Sequence, residues 1–363
     1  MSNKLNICFF SGDITNSGGT ERVAIIIANE LNKNNDYNIS FLSLVEKKEH
    51  PFFELDKNIS RYTVYDSVVR GVTHIGGIIN RVRKFVKENS INIIIDIDGI
   101  LEMYTIPVKL FKKVKVISWE HYNFYQHPVV PYRKYTRKMA ARWADAIVTL
   151  TEEDKGYYNQ NLNIRCPIQC IYNPVIWKQD TGNYDSDSKI ILSAGRLTYQ
   201  KGFDILIDVA NLFLKKHHDW KWIVLGEGED RDKLEKKTES LGLEGQLFFP
   251  GNVDNIDEYY KKAAIFVMTS RFEGLPMTLL ETKPFKLPLV SFDCKTGPRE
   301  LIRDKINGFL VDEGDVERMS EKIVNLIEDR QLRINMSEQA TLDMKRFDLK
   351  EIVDKWDVLI SQI

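Results

Sequence analysis

Short β-branched and aliphatic runs alternate with segments whose apolar positions recur at helical spacing, and the alternation persists along the whole 363-residue chain. In the first half, residues 6–10, 39–44, 91–95, 115–118, 146–150 and 168–171 read as strands. Between the first two, Val23, Ala24, Ile27, Ala28 and Leu31 fall on one helical face behind Thr20 as the expected N-cap. Strands separated by helices predict a parallel sheet covered by helices, an α/β architecture.

The pattern lapses over 172–184, where Asn173-Pro174, Gly182 and the start of a polar run predict a linker. It resumes with strands at 189–193, 222–225, 246–249, 264–268 and 289–292, and helices near 202–215, 230–241, 256–263 and 276–284. Charged helical segments follow from Val316 onward. The chain therefore divides into two Rossmann-like domains, 1–173 and 174–348, with a last helix over 349–363 long enough to pack back on the first. No short-period repeat interrupts this plan, which excludes a solenoid.

Charge changes the picture only once the chain is divided. The formal net charge is −1, yet 23 Lys and Arg stand against 18 Asp and Glu up to Asn173, leaving 28 against 34 beyond it. A modestly positive first half points to an anionic surface as its neighbour, and neither half is basic enough for nucleic acid. Cys8, Cys166, Cys170 and Cys294 have no metal or redox spacing and are expected as reduced thiols. No apolar run approaches the roughly 20 residues that span a bilayer, and residues 1–6 lack the apolar stretch of a signal peptide. A cytoplasmic protein is expected.

Open parallel sheets bind ligands at the carboxyl ends of their strands, so the loops there are the places to look for chemistry. After the first strand, Gly18-Gly19 opens a helix, where backbone N–H groups meet an anion; this is equally the pattern of an ordinary strand-to-helix turn. Gly195-Arg196-Leu197-Thr198-Tyr199-Gln200-Lys201-Gly202 follows the strand at 189–193. An Arg and a Lys there suit a diphosphate, one clamping two oxygens and the other supplying a point charge. In Glu273-Gly274-Leu275-Pro276-Met277-Thr278-Leu279-Leu280-Glu281, Pro276 reads as the first helical residue, with one carboxylate before the helix and one about two turns in. Carboxylates so spaced accept from sugar hydroxyls at two ends of an extended ligand.

Gly195-Arg196-Leu197 through Lys201-Gly202, Leu225-Gly226-Glu227-Gly228, Phe249-Pro250-Gly251 and the block from Glu273 to Glu281 resemble, in order and spacing, the family 4 retaining glycosyltransferases. Gly18-Gly19-Thr20-Glu21, Glu120-His121, Asn173-Pro174 and the run from Ser291 to Pro298 extend the resemblance over nearly the whole chain, toward a subgroup that assembles bacterial surface glycans. The resemblance implies a GT-B fold, two facing Rossmann-like domains with a deep interdomain cleft. It implies that Glu281 holds the nucleotide ribose, that Glu273 contacts the donor hexose, and that Arg196 and Lys201 clamp the diphosphate with Gly18 and Gly19 closing on it. Gly274, Leu275, Pro276, Met277 and Thr278 belong to the same donor site, Val253 to the position whose backbone reads the base, and His121 to the donor sugar's surroundings. Lys283, Pro284 and Lys286 replace the small residues usual in the family, and Pro284 is expected to kink or end the helix.

The expected reaction is transfer of a hexose from a nucleotide sugar, UDP-linked, to a saccharide or lipid-linked saccharide, with retention and without a cofactor or metal. Asp96-Ile97-Asp98 is a D-x-D triplet of the kind that binds metals in another glycosyltransferase fold, but Arg196 and Lys201 already supply the charge. His127 reads as structural. A GDP-sugar donor and a silent glycan-binding protein are the alternatives; a dinucleotide oxidoreductase is disfavoured because Gly-x-Gly-x-x-Gly is absent after the first strand. Finally, 132–142 is a basic helix: Tyr132, Tyr135, Met139 and Trp143 line one side, and Arg133, Lys134, Arg137 and Lys138 the other. Its basic face is expected either to be solvated or to meet an anionic membrane.

Overall fold

The computed structural model describes residues 4–69, 71, 73–125, 132–177 and 181–363. His127 lies outside the described residues. The chain forms two compact units, Met1–Pro174 with Arg346–Ile363, and Val175–Lys345.

The first unit runs β1 (Leu5–Ser11), α1 (Gly19–Leu31), β2 (Tyr37–Ser43), β3 (Ser60–Thr63), α2 (Ile75–Glu88), β4 (Ile93–Ile97), α3 (Glu102–Phe111), β5 (Lys115–Trp119), α4 (Arg133–Trp143), β6 (Ala146–Thr149), α5 (Glu152–Asn161) and β7 (Ile168–Cys170). Its parallel sheet has the order β3-β2-β1-β4-β5-β6-β7. The order reverses between β1 and β4, whose register pairs Ile7 with Ile93 and Phe10 with Asp96. Strands buried on both faces favour apolar residues at successive positions, and β4 accordingly reads as a near-continuous aliphatic run. Ser60–Thr63 is an exposed edge strand with no such run, which is why its sequence gives no strand signal.

The second unit runs β8 (Ile190–Ala194), α6 (Phe203–Phe213), β9 (Lys221–Leu225), α7 (Arg231–Ser240), β10 (Leu247–Gly251), α8 (Asp257–Lys262), β11 (Ile265–Met268), α9 (Met277–Thr282), β12 (Leu289–Phe292), α10 (Pro298–Leu301), β13 (Gly308–Val311), α11 (Val316–Glu328) and α12 (Arg330–Glu338). Its order is β10-β9-β8-β11-β12-β13, reversing between β8 and β11. Ile191, Leu206, Trp222, Ile265 and Ile323 meet in its core.

Three local expectations are corrected. α1 begins at Gly19 with Gly18 as N-cap, so Thr20 lies inside the helix. Pro276 caps α9 rather than opening it, with an extended ψ of 104°. β13 has no counterpart among the expected strands. The stop at Pro284 is seen: α9 ends at Thr282 and a single 3₁₀ turn covers Lys283–Phe285. None of the four cysteines forms a disulfide. Among the described residues, no helix is long and apolar enough to cross a membrane.

α4 is rotated from its sequence reading, so that part of the expected basic face turns inward. Its buried face holds Arg133, Thr136, Arg137, Ala140 and Ala141, whereas Tyr135 is 58% exposed and Trp143 40%. The small alanines let the helix approach the sheet closely, and the guanidinium groups turn inward because carboxylates and open carbonyls await them there.

The last helix, α13 (Leu349–Gln362), belongs to the first unit, where the fully buried Trp356 packs edge-on to Trp119 with ring centroids 4.8 Å apart. Replacing Trp356 with Ala deletes an aromatic side chain from a closed core. The expected outcome in chemical denaturation is a loss of about 3–5 kcal/mol in the first unit's stability; a loss below about 1 kcal/mol would show that the site collapses freely.

Candidate active site

At the β8/β11 reversal two loops emerge side by side, and backbone contacts lace them together. After β8 the chain passes Arg196, buries Leu197, makes a 3₁₀ turn over Tyr199–Lys201 and enters α6 through Gly202. Gly202 has φ 65°, and a Cβ there would meet the Thr269 carbonyl at 2.2 Å, so only glycine fits. The Thr269 hydroxyl in turn lies 3.2 and 3.0 Å from the carbonyls of Lys201 and Gly202. Arg271 donates to the Tyr199 carbonyl and forks onto Asp204 at 2.8 and 2.6 Å, while its backbone N–H donates to the Gln200 carbonyl. None of Thr269, Arg271 and Asp204 stands out in the sequence.

This lacing brings Lys201 onto Glu273, with Nζ 2.6 Å from Oε1. Both are largely buried, and the Glu273 carbonyl accepts from the Thr296 hydroxyl at 2.7 Å. Arg196 sits on the same loop with an exposed side chain, which has no ion-pair partner among the described residues. Gly274 and Leu275 carry the chain to Pro276, and Met277 and Thr278 form the first turn of α9. The Thr278 Oγ is buried without a hydrogen-bond partner. Further along α9, Glu281 accepts from the hydroxyl of buried Tyr260 at 3.1 Å, a contact the sequence does not reveal. Val253 is half-buried in the loop between β10 and α8. α9 has only six residues, so its dipole is small, and the cations of these loops are Arg196, Lys201 and Arg271, the last two paired with Glu273 and Asp204.

In the first unit, Gly18 and Gly19 follow β1 in a loop that Asp13 orders by accepting from the Thr15 N–H and hydroxyl. The D-x-D carboxylates are committed within the protein. Asp96 is fully buried and accepts from Thr105 at 2.5 Å; Asp98 takes both guanidinium nitrogens of Arg133. Burial raises the Asp96 carboxyl well above the ordinary carboxylate range. His121 follows β5, buried, with its ring 4.5 Å from Trp119 and Nε2 unpaired. Burial lowers its pKa to about 4, Arg133 pushing the same way and Asp98 against it. A neutral imidazole offers a hydrogen bond at neutral pH without carrying a charge.

Two parallel sheets, each reversing its strand order beneath loops of this kind, constitute a protein of the GT-B class. Residues 17–176 match the model described as Glycosyltransferase Family 4, and 177–343 that described as Glycosyl transferases group 1. The chain is 31% identical over 350 residues to an uncharacterized glycosyltransferase of Haemophilus influenzae, covering 96% of this chain and 98% of that one. It is 26% identical over 357 residues, 96% of each, to the Campylobacter jejuni GalNAc-alpha-(1->4)-GalNAc-alpha-(1->3)-diNAcBac-PP-undecaprenol alpha-1,4-N-acetyl-D-galactosaminyltransferase. Among solved structures, Anabaena HepE in complex with UDP-glucose superposes with a TM-score of 0.83 at 18% identity, over 98% of this chain and 100% of that one. The chain belongs to the family 4 glycosyltransferases.

The His121 assignment has a direct readout. Unfolded histidine titrates near 6.5; between there and about 4 the unfolded chain binds a proton that the native ring refuses, so His121 lowers stability as the pH falls through that window. Ring NMR is expected to show His121 neutral at pH 6 and titrating near 4. A midpoint in the ordinary range would mean that the ring is solvated.

Proposed function

We propose that the protein transfers a hexose from a UDP-sugar, with retention and without a metal, to a saccharide or lipid-linked saccharide in cell-surface polysaccharide synthesis. The observation that carries this reading is the loop edge at the β8/β11 reversal, where Lys201 pairs with Glu273 and Arg196 is exposed on the same loop. Arg196 and Lys201 hold the diphosphate, Glu281 the ribose, Glu273 a hexose hydroxyl and the Val253 backbone the base. Gly274 through Thr278 supply the shorter contacts. Within the first unit, Gly18, Gly19 and the neutral His121 are the candidate donor contacts. UDP-glucose in the structural neighbour and an undecaprenol-linked saccharide in the relative's name support donor and acceptor classes.

In the reaction the bond between the sugar's anomeric carbon and the diphosphate oxygen breaks. The acceptor oxygen bonds the same face of that carbon, and its proton passes to the departing phosphate. Fixed cations aimed at the developing charge contribute most to lowering the barrier. They also make a metal unnecessary, and Asp96 and Asp98 are engaged elsewhere.

The test is incubation with a panel of sugar nucleotides, following nucleotide release and the anomeric configuration of the product. Activity is expected with UDP-sugars in excess EDTA, and Arg196→Ala or Lys201→Ala should each lower transfer by at least about 10²-fold. Wild-type turnover in either variant would refute the clamp. Exclusive use of GDP-sugars would move the donor, and binding without release under any condition would leave a glycan-binding protein.

The same reading places the enzyme at a membrane, through a smaller surface than the sequence suggests. Lys134, Lys138 and Arg142 remain exposed on α4 beside exposed Tyr135 and Trp143. Basic groups near anionic lipid contribute about 1 kcal/mol each, and Trp and Tyr favour the interface. Sedimentation with anionic vesicles should fall with salt and in the Lys134→Gln, Lys138→Gln, Arg142→Gln triple variant. Equal recovery on neutral vesicles would leave α4 merely solvated.

A further inference from the structure

The inward arginines of α4 converge on the loop that carries His121. Arg137 is 1% exposed, and one guanidinium serves three consecutive carbonyls: Nη1 donates to Phe124, and Nη2 to Asn123 at 2.8 Å and Tyr122 at 3.3 Å. Its Nε lies 3.6 Å from Oε2 of Glu120, which is itself buried. The loop is pinned from other sides as well. The Phe124 N–H donates to Asp154 at 2.7 Å, the Tyr125 N–H donates to the Asn123 side chain at 3.0 Å, and the Arg133 guanidinium lies over the Tyr122 ring at 4.7 Å.

Glu120 is seated against the end of the neighbouring strand. A Cβ on Gly99 would meet its Oε1 at 1.8 Å, so the carboxylate occupies space that only a glycine leaves. The preceding residue, Asp98, holds a φ of 125°, a backbone conformation that non-glycine residues keep only when surroundings impose it. Arg133 forks onto this Asp98 while lying 3.9 Å from Glu120. Burying two guanidinium groups is costly, and apolar residues of similar volume would pack as well or better. The arrangement is explained by what it fixes. Three carbonyls in a row, those of Asn123 and Phe124 buried and that of Tyr122 partly so, meet one planar fork where a point charge would not reach all three.

We propose that Arg137, acting with Glu120, is a positioning residue for transfer: it fixes the backbone path of 120–125 and thereby the orientation of the His121 imidazole. The inference rests on the reading that His121 takes part in transfer. It predicts that the arginine acts on the reaction only through the loop.

The experiment uses the full chain with Arg137→Lys, which keeps the charge and loses the fork, and Glu120→Gln, which keeps the shape and loses the charge. In folded Arg137→Lys, the His121 ring resonances should move and the amides of 122–125 should exchange about tenfold faster or more. Turnover should fall about tenfold or more with donor KM little changed, as misplacement of a reacting-site group does. In a His121→Ala background the same change should cost no further turnover. Unmoved His121 resonances and unchanged loop exchange would overturn the proposal, as would turnover losses that multiply in the double variant. If Arg137→Lys does not fold, the same measurements on Glu120→Gln support or overturn the proposal in the same way. Full transfer by His121→Ala alone would remove His121 from the reaction, while the resonances and exchange still report whether Arg137 sets the loop.

Discussion

The ion pair between Lys201 and Glu273 spans the point where the second sheet reverses its strand order, joining residues 72 positions apart. Away from a reversal, consecutive strands send their connections the same way and a helix covers each loop. At β8/β11 the connections diverge, and a crevice opens at the carboxyl edge. The donor contacts proposed in the second unit depend on that divergence. Gly202 against Thr269 brings the two loops into contact, the Arg271–Asp204 fork keeps the 3₁₀ turn in place, and Lys201 then has one carboxylate within reach. A largely buried pair of this kind contributes little net stability, since desolvation offsets attraction. It holds a cation in a poorly hydrated place, where a charge acts most strongly on its surroundings.

The first unit meets a related problem with different means. Beneath the loops after β4 and β5 lie Asp96, Asp98, Glu102 and Glu120, with Arg133 and Arg137. Burial, and after it the neighbouring Glu120 charge, raise the Glu102 carboxyl well above the usual range, and burial raises Asp96. Two guanidinium groups are then left facing Asp98 and Glu120. Such a cluster adds nothing that an apolar core would lack except fixed direction, and the direction it fixes is that of 120–125.

Much of this is legible in the sequence, and the rest is not for identifiable reasons. Central strands announce themselves because parallel sheets bury both faces; β3, at the edge and exposed, does not. Gly195 through Gly202 and Glu273 through Glu281 stand out because loops after strands are short and their charged residues few. Their contact belongs to strand order, which periodicity does not encode. α4 is read in the wrong rotation because an aromatic stripe weighs as core against a solvated basic face. The competing principle is satisfaction of polar groups: carbonyls and carboxylates supplied by a distant loop decide which face turns in, and a single helix contains no trace of them. Tyr260, two elements before Glu281 in the chain, escapes notice for the same reason.

Calorimetric titration with free UDP tests the central claim, that the β8/β11 edge is a nucleotide-diphosphate site with distinct ribose and hexose carboxylates. UDP lacks the hexose, so Glu281→Gln should weaken binding by about tenfold, the scale of one charge-assisted hydrogen bond. Glu273→Gln should leave binding equal or tighter, because it releases Lys201 to the diphosphate. No UDP binding by the parent, or a larger loss from Glu273→Gln than from Glu281→Gln, would contradict the account.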